Sequence, residues 1–305
     1  MEGDAWVMLA TPRPIIESVV RSVCGRPVER LFPLAGGGMN ETYRVELPNE
    51  VFVVVRIARQ PVPWFVDEAE LMALAGAAGV PTPEVLGLAQ LDHGGELLSF
   101  SVQQFLPGRS LEELAGVLPA PDLERLVVEA GELLARVHGL TSDRGTRHEL
   151  RRPEERAVAR VLRIVEDALG PAAVRVVQRG ADFVREEMMT RPAPPLSLVQ
   201  GDFLPKNLLV NDGAVAGVID WEFAGPATPA FDLARWEVSA GEPFHDRSDL
   251  LHRGYARIAD PESAGAGLVP AFAIDWALEI LGWTNPATPA QFRRCVDVID
   301  HYVRP

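Results

Sequence analysis

The chain has 305 residues, 47% of them apolar, enough to bury a substantial core as one large domain or two of medium size. A formal net charge of −14 argues against nucleic acid as a main partner, and no apolar run approaches the ~20 residues that a bilayer span requires. Cys24 and Cys295, near opposite ends, indicate neither a disulfide framework nor a cysteine-based zinc site, and without a secretory leader pattern the cytoplasm is the expected location.

Residues 13–24 carry apolar side chains at helical spacing and stop at Gly25, which predicts a first helix. Three β-type runs follow, at 28–34, 42–47 and 51–58. Gly36-Gly37-Gly38-Met39-Asn40 joins the first pair, and the turn Pro48-Asn49-Glu50 joins the second. A helix is predicted over 64–78, then strands over 84–90 and 98–105, with His93-Gly94-Gly95 turning between them. This strand-rich stretch ends at Pro107-Gly108. Beyond it, helical patterns cover 122–138, 153–169 and 172–189, hairpins interrupt them around 198–220, and helices resume over 229–240, 247–258, 267–281 and 289–302. The implied fold class is α+β, with a small β-rich unit at 1–107 and a larger helical unit at 108–305.

The negative charge is spread, −6 over 1–107 and −8 over 108–305, so solubility accounts for it as well as the steering of a cationic substrate does. Lysine usage excludes more. Lys206 is the only lysine in the chain, and it precedes Asn207, whereas a Walker-type phosphate loop needs Gly-Lys-(Ser/Thr).

The most informative segment is 198–210 with its continuation Gly217-Val218-Ile219-Asp220-Trp221. Asp202 and Asn207, five positions apart, occupy a polar turn between apolar runs, and Asp220 ends a second β-type run at 214–219. Each alone has a plain reading: Asp202 as a turn residue, Asn207 as an amide satisfying loop backbone, and Asn211-Asp212-Gly213 as a hairpin turn. Their joint spacing supplies what phosphoryl transfer needs, a carboxylate for the acceptor hydroxyl's proton and an Asn plus a second carboxylate for Mg²⁺. Asp202 is therefore the expected base, and Asn207 and Asp220 the expected metal ligands.

Two further features fit. Gly36-Gly37-Gly38 between strands lets backbone N–H groups approach phosphate oxygens, although alone it would read as a glycine-rich hairpin. Arg56 interrupts an apolar strand, where a charge is costly unless paired. A solvent-facing arginine on an edge strand is the plainer alternative, disfavoured because both neighbours are apolar.

Gly201-Asp202-x4-Asn207, the apolar strand, Ile219-Asp220-Trp221 and Phe231-Asp232-Leu233-Ala234 together resemble the aminoglycoside phosphotransferase and choline kinase family, over roughly 28–240. One position departs from that pattern, with Gln200 where the family has His. The resemblance implies a two-lobed protein-kinase-like fold and an O-phosphotransferase that uses ATP, or GTP, with Mg²⁺ and moves the γ-phosphate to a hydroxyl of a small molecule. In that frame Gly36, Gly37, Gly38 and Asn40 belong to the phosphate loop, and Arg56 holds the nucleotide phosphates. Glu68 is the expected partner of Arg56, with Glu70 the alternative, and the hinge backbone of Gln104 and Leu106 reads adenine. Asp232 is expected to brace the catalytic loop, His138 to end a helix in packing, and Lys206 to face solvent.

The C-terminal helices form the acceptor wall in this family. The candidate acceptor-binding residues are Glu222, Glu237, Asp275, Trp276 and Glu279, of which Asp275 and Glu279 are four apart and share a helix face. An amine-bearing antibiotic is the expected acceptor, with choline, homoserine or a sugar-like metabolite as alternatives. Only 11 residues separate Asp220 from Asp232, too few for the activation segment of a protein kinase. A nucleotide-binding pseudokinase is the remaining rival, and the joint presence of Asp202, Asn207 and Asp220 stands against it. The expected partner is a small hydroxyl acceptor, with no nucleic acid and no membrane, on a monomer or weak dimer.

Overall fold

Proline in the first turn and glycine past the last set the limits of α1 (Arg13–Cys24). Gly25 takes φ 67° and returns its N–H to Arg21 O at 2.9 Å, closing the helix. The computed structural model describes residues 11–34, 40–59, 64–150, 153–190, 195–262, 265–282 and 289–304.

The apolar stripe of α1, Ile16, Val19 and Val20, packs on an antiparallel sheet built from β1 (Arg30–Pro33), β2 (Glu41–Leu47), β3 (Val51–Ala58), β4 (Val85–His93) and β5 (Glu96–Gln104). The strand order is β1-β2-β3-β5-β4. Alternation along β3 sorts its side chains: Val53, Val55 and Ile57 enter this core, and Arg56 emerges on the other face. There its cross-strand neighbours are the small polar residues Thr42 and Ser101, and α2 (Trp64–Ala77) brings Glu68 to it.

Past Gln104 the chain crosses to the helical part. Gly108, at φ 145°, lies so close to β8 (Leu208–Asn211) that a Cβ would sit 2.7 Å from Val210 O, so the crossing needs glycine. The two-residue strand β6 (Arg109–Ser110) pairs with β8, which pairs in turn with β9 (Ala214–Val218). Between β6 and β8 come α3 (Leu111–Leu114), α4 (Ala120–His138), α5 (Glu155–Leu169), α6 (Pro171–Thr190) and β7 (Ser197–Val199). Ser110 and Glu113 form a capping box that starts α3. After β9 follow β10 (Gly225–Ala227), paired with β7, then α7 (Ala230–Ser239), α8 (Ser248–Tyr255), α9 (Val269–Gly282) and α10 (Pro289–Val303).

Helices α4 and α8 meet backbone to backbone: a Cβ on Gly131 would lie 2.1 Å from Leu251 O, and one on Gly254 would lie 1.9 Å from Val128 O. The large core of this part contains Leu134, Trp236, Ile274 and Leu281 from helices α4, α7 and α9. It extends to Phe203, Leu208, Val218 and Trp221, so the segment carrying Asp202, Asn207 and Asp220 rests on a packed apolar base. Among the described residues, no helix is long and apolar enough to cross a membrane.

The helices fall close to their predicted spans. Short pieces such as β6, α3, β7 and β10 have too few residues to show a period and exist because tertiary neighbours pair with or cap them.

Candidate active site

The loop after β7 turns through Gly201 at φ 88°, and a Cβ there would meet Phe223 O at 2.2 Å. Asp232, fully buried in the first turn of α7, accepts the N–H of Gln200 at 2.8 Å and that of Gly201 at 2.9 Å. Behind it, His138 Nε2 lies 3.2 Å from Asp232 Oδ2, and His138 Nδ1 lies 3.1 Å from the Tyr255 hydroxyl. His138 thus does more than pack the end of α4: it ties α4, α7 and α8 to the loop.

That loop presents Asp202, whose side chain is 6% exposed. Its Oδ2 lies 2.8 Å from Lys206 Nζ and accepts from Asn207 Nδ2 at 2.9 Å, while Oδ1 accepts from Arg235 Nη2 at 3.2 Å. Lys206, expected to face solvent, is half exposed but pairs with this carboxylate. Asn207 Nδ2 also reaches Asp202 O at 2.9 Å, which fixes the amide and leaves Oδ1 as its acceptor atom.

Asp220 is drawn beside this pair by the β8–β9 hairpin, since Ile219 N–H donates to Asn207 O at 3.0 Å. Its backbone is left-handed, φ 62°, a strained conformation for a residue with a Cβ. Gln200 holds it there: Nε2 donates to Ile219 O at 3.1 Å and to Asp220 O at 2.7 Å, while Oε1 accepts from Asp202 N–H at 2.8 Å. An amide supplies both a donor and an acceptor, as a neutral imidazole would, so glutamine serves at the position where the sequence departs from the family pattern.

On the sheet side, Arg56 is buried and contacts Glu68, Asp220 Oδ1 at 3.1 Å and Glu222 Oε2 at 2.9 Å. Burial pulls the pKa of this guanidinium down, but Glu68, then Asp220 and Glu222, more than compensate, and it ends above its ordinary value. Three carboxylates around one guanidinium leave an excess of negative charge. Glu222 shows it: burial first, then Asp220, push its carboxyl up to about 7. The side chain of Asp220 is 34% exposed and forms the open end of the cluster. Oxygen donors from Asp220 and Asn207 beside uncompensated negative charge make a donor set suited to Mg²⁺.

Other arginines are committed elsewhere. Arg44 stacks over Phe32 at 4.7 Å and Phe52 at 5.3 Å, and Arg59 pairs with Glu41 and Glu96. Glu70 pairs with Arg144 at 3.0 Å, so Glu68 is the acid that faces Arg56.

Gly36, Gly37 and Gly38 lie outside the described residues. Asn40 donates to Glu222 Oε2 at 2.8 Å, and its buried Oδ1 has no partner. At the hinge, Gln104 N–H donates to Glu84 O at 2.8 Å, and the Leu106 side chain packs so closely on β9 that a Cβ on Gly217 would meet its Cδ1 at 2.6 Å.

Two acceptor candidates need correcting. Glu222 lies with Arg56 and Asn40, 2.9 Å from Arg56 Nη2 and 2.8 Å from Asn40 Nδ2, in the turn that follows the left-handed Asp220. Glu237 is partly buried, hydrogen-bonded by the Tyr302 hydroxyl and 3.5 Å from His252. It follows Arg235 by two, about 200° around the helix, and so faces away from Asp202. Asp275 is half-buried and Glu279 exposed on α9. Trp276 donates to Ser239 Oγ at 2.8 Å, and its ring carries the Arg235 guanidinium at 3.9 Å. Sequence reasoning missed Arg235, although its place one helical turn after Asp232 was a signal.

The profile of the phosphotransferase enzyme family matches residues 31–262. The homoserine kinase of Phenylobacterium zucineum (strain HLK1) is 24% identical over 262 residues, which cover 80% of this chain and 76% of that protein. The homoserine kinase of Gluconobacter oxydans (strain 621H) is 24% identical over 283 residues, covering 84% and 83%. Among solved structures, a thermostable mutant of aminoglycoside phosphotransferase APH(4)-Ia in its apo form superposes with a TM-score of 0.65 at 19% identity, covering 94% of this chain and 98% of that one. A ternary complex of a thermostable mutant of the same enzyme with AMP-PNP and hygromycin B gives a TM-score of 0.64 at 20% identity, covering 95% and 98%. The fold is therefore α+β, two-lobed and protein-kinase-like.

Proposed function

The chain belongs to the phosphotransferase enzyme family, is a small-molecule kinase, and on that premise we propose that it moves the γ-phosphate of ATP to a hydroxyl of a small acceptor with Asp202 as base. The observation that carries this reading is the joint placement of Asp202 and Asn207, hydrogen-bonded to each other, with Asp220 drawn beside them by the Ile219–Asn207 contact. The acceptor oxygen attacks the γ-phosphorus in line, its proton passes to Asp202, and the bond to the departing nucleoside diphosphate breaks. Gln200 and Asp232 keep the base in position, and Lys206 lies where it offsets charge on the transferred group.

Asn207 Oδ1 and Asp220 would hold Mg²⁺, which supplies neutralisation of the phosphate charge when bound. In this reading Arg56 steadies the nucleotide phosphates, Gly36, Gly37, Gly38 and Asn40 are the candidate phosphate-binding residues, and the backbone at Gln104 and Leu106 receives the base. Use of ATP is supported by the bound AMP-PNP of the structural neighbour, and GTP stays the alternative. The neighbour's hygromycin B and the relatives' name, homoserine kinase, keep both an antibiotic and a primary metabolite within the acceptor class. Dependence on ATP favours the cytoplasm as the site of the reaction.

Coupled ADP release with Mg·ATP and a panel of hydroxylated acceptors tests the reading. Asp202→Asn should keep nucleotide binding and lower kcat by at least ~10²-fold. Near-normal turnover in that variant would remove Asp202 from the role of base.

A further inference from the structure

The two oxygens of the Asp202 carboxylate face different surroundings. Oδ2 is held by Asn207 and Lys206, on the metal and phosphate side, and Oδ1 is held by Arg235. Arg235 therefore stands where an acceptor approaches the base. Its side chain is 11% exposed, and its guanidinium lies 3.9 Å from the Trp276 ring and 5.5 Å from the Phe231 ring. Nη2 donates to Asp202, but the buried Nε has no partner. A buried N–H on a charged group is costly to leave unpaired, and a guanidinium bonded through one nitrogen keeps the paired donors that match a carboxylate.

The same contacts disfavour a polycationic acceptor. The Trp276 ring face that would attract an ammonium already holds Arg235, and Lys206 adds a second positive charge at the base. Glu279, exposed on α9, lies near enough to attract Arg235 and leaves room in the charge pattern for an ammonium carried beside a carboxylate.

Resting on the phosphotransferase reading above, we propose that Arg235 binds a carboxylate of the acceptor, which makes the substrate a small hydroxy acid. The Asp202 carboxylate and the acceptor carboxylate then stand roughly 5–7 Å apart, two hydrogen bonds with a guanidinium between them, and the acceptor hydroxyl is one further hydrogen bond from Asp202. That span suits a short-chain molecule.

Acceptor pairs that differ only in this charge test the assignment: 4-hydroxybutyrate against 4-hydroxybutyramide, and L-homoserine against its amide, with hygromycin B as a polycation. Wild-type protein should show at least ~10-fold higher kcat/KM for the acid of a pair, mainly through KM. Arg235→Gln should bring that ratio near one, and Arg235→Lys should keep part of it. Equal losses on acid and amide in Arg235→Gln would reduce Arg235 to a holder of Asp202 and overturn the proposal. Preference of the wild type for an amide or for hygromycin B would overturn it too. Calorimetry of the same pairs against wild-type protein loaded with Mg·AMP-PNP decides the question without turnover and without a variant: tighter binding of the acids supports the assignment, and equal binding overturns it. Failure to bind Mg·AMP-PNP at all would instead overturn the phosphotransferase reading, so the two failures are distinct.

Discussion

Gln200 Nε2 lies 2.7 Å from the backbone carbonyl of Asp220, joining the two carboxylate-bearing motifs of the site through one side-chain amide. The contact restrains a residue whose φ of 62° is strained, and the same amide accepts the N–H of Asp202. Gln200→Leu should leave these buried groups unpaired, costing about 1–3 kcal/mol in stability, and should lower kcat through misplacement of both carboxylates. Gln200→His, which restores a donor and an acceptor, should keep most of the activity. Melting temperatures with kcat for the two variants check this, and equal behaviour would remove the bridging role.

Asp220→Ala should abolish the Mg²⁺-dependent part of nucleotide affinity, since it removes the most accessible carboxylate of the cluster. Metal-free nucleotide binding should not weaken, because a negative charge has gone as well. Calorimetry with AMP-PNP in magnesium and in EDTA separates the two, and unchanged affinity in magnesium would move the metal elsewhere.

Arg56→Met removes the cation from among Glu68, Asp220 and Glu222, of which Glu68 is deeply buried. Breaking such a pair from one side costs on the order of 3–5 kcal/mol, so this variant should melt early as well as show a raised KM for ATP. Adding Glu68→Gln should recover part of the melting temperature and none of the KM. Recovery of both would make Arg56 a structural residue only.

Glu237 gives a pH dependence outside the site. Burial pushes its carboxyl from 4.5 up to about 7, against the opposing hydrogen bond from Tyr302. Between these values the folded chain binds more protons than the unfolded one, so the stability present below pH 4.5 is lost as pH rises through about 7. Glu237→Gln removes that loss. Its melting temperature should exceed that of the wild type at pH 8 by about 2–4 °C and match it near pH 5. A constant offset across this range would refute the account.

The pieces of the site that lie close in sequence were legible there. Asp202, Asn207 and Asp220 announced themselves because five residues and one hairpin set their relation. Arg56 did so because a charge in an apolar strand demands a partner. What the sequence hid depended on elements meeting in space. Gln200 reads as a departure from a motif until the carbonyls of Ile219 and Asp220 lie opposite it. Arg235 finds its acid 33 positions away and its ring on another helix. Glu222 and Glu237 were grouped by charge, whereas Arg56 and Asn40 hold the first and the helical turn from Arg235 carries the second away.

The pairing of Lys206 with Asp202 has a practical corollary. With no other lysine in the chain, Lys206 Nζ is its single side-chain amine, half open to solvent and 2.8 Å from the proposed base. An amine-directed acylating reagent would therefore meet, apart from the chain terminus, one target, and that target sits inside the site. Acylation would cancel its charge and add bulk beside Asp202. Covalent labelling, read by intact mass, becomes a count of open active sites, and protection by nucleotide or acceptor becomes a direct measure of occupancy.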